Sequence, residues 1–241
     1  MIESRGALLG LVFGVALLYS SVGHGGASGY LAALALAGFA PAEMKSSALA
    51  LNLLVAGLAF YNYRKAGFFS WKLFWPLAAA SIPAAYLGGL IKVPAEVYAK
   101  LLAFALAAAA IRLIFLEPAR KAPRAPNLPV SAGVGAATGL LSGIVGVGGG
   151  IFLSPLMILL GWADPKTTAG VSAAFIWVNS ASGLVGHFQR NPLSTLPLWD
   201  LAAAAVAGGL VGSRLGAKNL TPLSLRRLLG VVLLLAAYKI M

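Results

Sequence analysis

The chain has 241 residues, 60% of them hydrophobic and 10% charged, with a mean hydropathy of +0.89 and no cysteine. A soluble domain carries roughly 45–50% apolar residues, and no polar stretch here is long enough to build one. A barrel would show roughly ten-residue alternating segments. The composition therefore reads as an all-α polytopic membrane protein and excludes disulfides, thiolate metal sites and cysteine nucleophiles. The net charge of +12 does not point to nucleic acid, because the basic residues flank apolar runs, where they meet anionic lipid and set topology.

Five apolar segments are predicted in the first half, at 6–22, 27–40, 46–62, 73–91 and 97–116. Arg5 ahead of an apolar run could open a cleaved leader, but 6–22 lead directly into Val22-Gly23-His24-Gly25-Gly26. The second half gives 131–145, 151–162, 168–188, 197–213 and 223–240, with Val145-Gly146-Val147-Gly148-Gly149-Gly150 at the corresponding place. Each glycine motif precedes a short apolar run ending in a similar phrase, Gly38-Phe39-Ala40-Pro41 and Gly161-Trp162-Ala163-Asp164-Pro165. The match predicts a duplication: a first repeat at 1–116, a linker at 117–130 and a second repeat at 131–241. The linker holds Pro118, Arg120, Lys121, Pro123, Arg124, Pro126 and Pro129, and reads as an extended, solvated tether.

A spanning helix needs about 20 apolar residues. The last three segments of each half qualify, and the first two form a glycine-broken helical hairpin. If each hairpin returns the chain to the side it came from, one side holds Arg64, Lys65, Lys72, Arg112, Arg120, Lys121, Arg124, Lys166, Arg214, Lys218, Arg226 and Arg227. The other side then holds Arg5, Lys45, Lys92, Lys100, Arg190 and Lys239. That twelve-to-six split obeys the positive-inside rule better than the ten-to-eight split obtained if each hairpin counts as one crossing. It predicts inverted-topology repeats with both termini extracytoplasmic.

Bare backbone at mid-membrane depth is tolerated where it is buried in protein or lines a wet cavity. A pair of glycine-broken segments at corresponding places of two halves points to a transporter's central site. Gly25, Gly26, Gly148, Gly149 and Gly150 would open half-helices whose N–H groups and dipole suit an anion. The bland alternative is close helix contact. Behind each motif a helix opens on small polar residues: Ser46, Ser47 and Asn52, then Thr167, Thr168, Ser172, Asn179, Ser180 and Ser182. Asn52 and Asn179 each lie nine residues before an aromatic, Tyr61 and Phe188, and read as counterparts. They serve either as ligand donors or as helix–helix glue, and Thr167 reads as a helix cap.

His24 stands where the second motif has Val147. At that depth it could donate to an anion or carry a coupled proton, or it could be a neutral ring bonded to a carbonyl. His187, beside Gln189 and Arg190, reads as interfacial. Trp177 either walls the cavity or packs between helices. Trp71, Trp75, Trp162 and Trp199 sit near segment ends, where belt tryptophans belong.

Gly146-Val147-Gly148-Gly149-Gly150, Pro155, Ala169-Gly170-Val171-Ser172 and Asn179-Ser180 resemble the pattern of the TauE/SafE family of sulfite and organosulfonate permeases, over nearly the whole chain. The first half departs from it at His24 and at Ala27, which stands where the second half has Gly150. The resemblance implies a bacterial inner-membrane secondary transporter for a small sulfur-containing anion. The site set is then His24, Gly25, Gly26, Ser47, Asn52, Gly148, Gly149, Gly150, Thr168, Ser172, Trp177 and Asn179, with alternating access and no cofactor; with no phosphate-cradling GK[ST] loop in the sequence, the driving force is an ion gradient or the substrate's own gradient. An anion channel of the same architecture is the near alternative. Gly26-Ala27-Ser28-Gly29 also fits the short GxSG phrase of rhomboid-type proteases, with Ser28 as nucleophile and His187 or His24 as base. A homodimer is open to a transporter of this size, though no residue pattern marks one.

Overall fold

The computed structural model describes residues 5–39, 41–91, 126–189 and 199–221, with Ile111, Arg124 and scattered positions beyond 222. Eight helices and no strand occur among the described residues: α1 (Arg5–Ser21), α2 (Ala27–Leu36), α3 (Pro41–Lys65), α4 (Trp71–Leu90), α5 (Leu128–Val145), α6 (Gly150–Leu159), α7 (Pro165–Phe188) and α8 (Trp199–Lys218). The expected segment 97–116 and most of 117–130 and 223–240 lie outside the described residues. Among the described residues, four stretches are long and apolar enough to cross a membrane: Ser46–Lys65, Trp71–Leu90, Leu128–Val145 and Pro165–Phe188. The protein is a multi-pass helical membrane protein.

Helix ends follow local chemistry. Ser70 caps α4 by accepting from the Leu73 N–H, and Asn127 caps α5 by accepting from the Val130 N–H. α5 therefore starts at Leu128, ahead of the expected 131, and is long enough to span. Asp164, not Thr167, caps α7: its carboxylate accepts from the Lys166 and Thr167 N–H groups, with Pro165 in the first turn. Left-handed glycines stop and restart the chain. Gly23 and Gly146, Gly26 and Gly149, and Gly38 and Gly161 all have φ between +67° and +99°, each pair 123 positions apart.

The directions of the helices follow from register. Phe13, Leu17 and Ser21 of α1 meet Gly208, Gly212 and Gly216 of α8, and Arg5 meets Asp200, all at the same offset of 195. α1 and α8 therefore run side by side in parallel. Leu77, Ser81 and Ala85 of α4 meet Gly135, Gly139 and Gly143 of α5 at a constant offset of 58, also in parallel. In both pairs a Cβ on any of these glycines would overlap a carbonyl oxygen of the facing helix, so the backbones approach as only glycine permits. α3 runs against α7, since Asn52 meets Ser180, Gly57 meets Trp177 and Tyr63 meets Gly170.

The first hairpin folds back on itself. Ala27, the first residue of α2, bonds Asn52 in the middle of α3, and α2 then runs to the start of α3 through a short connection. α1 runs the other way, reaching Tyr63, whose hydroxyl bonds the Ser21 carbonyl. α6 runs antiparallel to α7, as α2 does to α3, with Gly150 near Ile176 and Ser154 bonded to Ser172.

Helix contacts divide the described helices into two groups. α1, α2, α3 and α8 pack together, and so do α4, α5, α6 and α7. Between the groups the main helix-to-helix contact is α3 against α7, and Ile151 and Ile158 of α6 add to the core of the first group. Each group thus combines three helices from one half of the sequence with one from the other.

Candidate anion site between the glycine motifs

The two motifs meet at Asn52, which is fully buried on α3. Its Oδ1 accepts from the Ala27 N–H at 3.1 Å, and its Nδ2 donates to Ser180 Oγ at 2.8 Å. The carboxamide lies flat against bare backbone on both sides: a Cβ on Gly25 would overlap Oδ1, and one on Gly148 would crowd Nδ2 and Ser180 Oγ. One side chain therefore touches both motifs and caps the N-terminus of α2.

His24, also buried, belongs to the first motif but bonds into the second half. Nδ1 faces the Val22 carbonyl at 3.1 Å, Nε2 faces Ser154 Oγ at 3.3 Å, and Ser154 donates to Ser172 Oγ at 2.7 Å. His24, Gly25, Gly26, Tyr19, Ser28 and Val147 line a cavity of about 10 Å³, room for one water. In this conformation the space is smaller than an oxyanion such as sulfite.

Two buried hydroxyls beside the motifs have no hydrogen-bond partner. Tyr30 Oη packs on Gly26 and the Ser142 side chain packs on Gly149; Asn179 Oδ1 is likewise unpartnered. A buried hydroxyl that bonds nothing costs about 1–3 kcal/mol, so Tyr30 and Ser142 each leave a donor unused in this conformation, and Asn179 leaves an acceptor unused. Asn179 turns away from Asn52: its Nδ2 donates to Ser81 Oγ on α4 at 3.0 Å and to the Phe175 carbonyl at 2.8 Å. Its neighbour Ser180 takes the place facing Asn52.

The remaining candidates are spread out. Gly150 opens α6 against Ile176. Ser47 and Thr168 are buried but do not line the cavity; Thr168 Oγ1 reaches the Ala163 carbonyl at 3.5 Å. Trp177 is 43% exposed, stacks on Phe60 and lines an outward apolar groove with Tyr86 and Val185. His187 is buried beside Gly89 in the last turn of α7, and Trp162 is buried rather than belt-exposed. Ser28 pairs with the Tyr19 hydroxyl at 3.0 Å, while the His24 ring bonds Val22 and Ser154, so His24 is not paired with Ser28 as the protease alternative would need. Sequence reading passed over Tyr19, Tyr30, Ser81, Ser142 and Ser154. Tyr30 and Ser154 lie four residues after Gly26 and Gly150, one turn into their half-helices, and that spacing was the available signal.

The chain is 37% identical over 236 residues, 95% of both chains, to a protein of Sinorhizobium fredii named "Probable membrane transporter protein y4hK". It is 28% identical over 167 residues, 64% of this chain and 62% of the relative, to a "Probable membrane transporter protein" of Xylella fastidiosa. It is 35% identical over 79 residues, 33% of this chain and 28% of the relative, to "Probable membrane transporter protein YunE" of Bacillus subtilis. No solved structure matches it. The family model described as "Sulfite exporter TauE/SafE" matches residues 7–240, and the chain belongs to this family of membrane transporters.

Proposed function

We propose that the protein is a secondary transporter of the bacterial inner membrane that moves a small sulfur-containing anion, sulfite or an organosulfonate, by alternating access. The observation that carries this reading is Asn52 lodged between two left-handed glycine motifs, with the buried hydroxyls of Tyr30 and Ser142 unpartnered beside Gly26 and Gly149. When the groups part, the anion enters between the motifs. It accepts from Tyr30, Ser142 and the first N–H groups of α2 and α6, where the half-helix dipoles favour negative charge. Such donors hold an anion without a fixed cation, weakly enough for release.

The two halves are inverted repeats in this reading. Support comes from the 123-position spacing of left-handed glycines, and from α1 and α5 entering in opposite directions. The units that move are the two packed groups rather than the sequence halves, because α4 and α8 are each held by glycine contact in the other half's group. They rock about the α3–α7 contact. Arg64, Lys65, Lys72, Lys166 and Lys218 lie at the end where α3 stops and α7 starts, and this face is cytoplasmic by the positive-inside rule. Both termini are then extracytoplasmic. An ion gradient drives the cycle.

Thermal shift or calorimetry of purified protein with sulfite, sulfate, thiosulfate, sulfoacetate, taurine and acetate tests the reading. A sulfite or sulfonate should stabilise the wild type and not Gly149→Leu, which inserts but does not transport. Normal uptake by Gly149→Leu would refute the site. Saturable uptake with counter-exchange is expected of a carrier, and unsaturable flux of a channel.

A further inference from the structure

His24 is held by hydrogen bonds whose direction would differ between its two charge states. The Val22 carbonyl only accepts, so Nδ1 carries a hydrogen. Ser154 has one hydroxyl proton; while it points to Ser172, Nε2 also faces an acceptor, and both ring nitrogens are satisfied as in an imidazolium. A neutral ring is satisfied only if Ser154 turns its proton to Nε2 and takes one from Ser172. The two charge states differ by reversal of a single Nε2–Ser154–Ser172 chain.

The surroundings supply no counter-charge. The groups around the ring are the Val22 and Gly150 backbone, Tyr19 from α1, Ser28 from α2, Val147 from the second motif and Ser154 from α6, with Ser172 of α7 behind Ser154. Tyr19 is the only titratable one, and no Asp, Glu, Lys or Arg is buried among the described residues. An uncompensated charge in such an interior is costly. The cavity that His24 lines lies between the glycine motifs, so an anion placed there would sit against the ring.

We propose that His24 is a proton site filled together with the anion, so that one proton and one negative charge enter the protein as a neutral pair. This rests on the anion reading above. The proton comes from water on the side from which the anion enters and returns to water when the anion leaves. His24 lies in the α1–α2 connection and Ser154 on α6, so the bond that reverses on protonation joins the two packed groups. Loading of the proton is thereby tied to the contact that must open.

The test is calorimetry at pH 7 in two buffers of different ionisation enthalpy, with isethionate, sulfoacetate and thiosulfate as probes, none of which titrates there. The wild type should take up close to one proton per anion bound. His24→Gln should bind more weakly and take up none. Ser154→Ala, which keeps the ring but removes its acceptor, should take up less than half. Uptake of isethionate into vesicles should follow a pH gradient and ignore a potassium diffusion potential. Anion binding by the wild type without proton uptake, an unchanged uptake in His24→Gln, or a tenfold response to the potential would each overturn the proton site and leave the anion site standing. If none of the probes binds, the anion site and the proton site fall together.

Discussion

Asn52 and Ser180, 128 positions apart, join α3 to α7 through a 2.8 Å hydrogen bond where the two glycine motifs meet. The bond lies on the helix contact between the packed groups, so its loss should be felt both in stability and in transport. Asn52→Ala removes the bond to Ser180 and uncaps the Ala27 N–H. Leaving a buried donor unsatisfied costs about 1–3 kcal/mol. A lower melting temperature together with at least a tenfold slower uptake is expected, measured by thermal unfolding in detergent and by vesicle flux. A variant that melts like the wild type would show that the carboxamide does not hold the groups together.

Tyr30 should behave in the opposite way. Its hydroxyl bonds nothing in this conformation, so Tyr30→Phe removes a buried unsatisfied group and should leave the melting temperature equal or higher. If the hydroxyl donates to the anion, the same change should weaken binding by roughly tenfold, the worth of one hydrogen bond to a charged group. Ser142→Ala should follow the same pattern at the other motif. Calorimetry against the best-bound probe, paired with melting curves, separates the two effects.

The glycine stripe on α8 makes a prediction about stability alone. A Cβ on Gly212 would overlap the Leu17 carbonyl, whereas one on Gly10 or Gly14 of α1 meets nothing within 4 Å. Gly212→Ala should therefore lower the melting temperature sharply, while Gly10→Ala and Gly14→Ala should be neutral. Equal behaviour of the three variants would mean that α1 and α8 are not in this register.

Arg5 and Asp200 form a bidentate pair at 2.7 and 2.8 Å at the start of the same helix pair. Both side chains are well exposed, 50% and 39%, and exposed pairs contribute about 0–1 kcal/mol. Asp200→Asn should change the melting temperature by no more than a few degrees and leave transport intact. Exchanging the two residues should restore whatever is lost.

The natural absence of cysteine makes topology directly measurable. Lys72→Cys, at the start of α4, and Trp199→Cys, at the start of α8 and 87% exposed, should react with an impermeant maleimide from opposite faces, Trp199→Cys from outside intact cells. Labelling of both from one face would remove the inverted arrangement.

Much of this was legible in the sequence. The glycine motifs, the short apolar runs behind them and Asn52 all carry local signals: bare backbone, a break in hydrophobic length, an amide in an apolar segment. The pairing of helices was not legible. Gly135, Gly139, Gly143 and Gly208, Gly212, Gly216 recur every four residues and mark a close-contact face, but the spacing does not say which helix supplies the facing carbonyls. Asn179 and Ser180 show a second limit. Matching aromatic spacing made Asn179 the counterpart of Asn52, yet neighbouring residues on a helix point roughly 100° apart, and it is Ser180 that faces α3 while Asn179 faces α4. The His24 ring bonds Ser154, 130 positions away, a relation that no local pattern announces.

The parallel register of α1 with α8 has a consequence for how the protein is made. The partner of α1 is synthesised 195 residues after it, and at roughly 5–20 residues per second α1 sits in the bilayer for roughly 10–40 s before α8 leaves the ribosome. During that time its Phe13, Leu17 and Ser21 carbonyl face meets lipid or a chaperone. The helices α4 to α7 all precede α8 in the chain, but the group containing α1, α2 and α3 stays open until α8 arrives. A chain truncated before α8 should leave one group of helices assembled and the other exposed to membrane proteolysis, so quality control of this transporter is decided when α8 inserts.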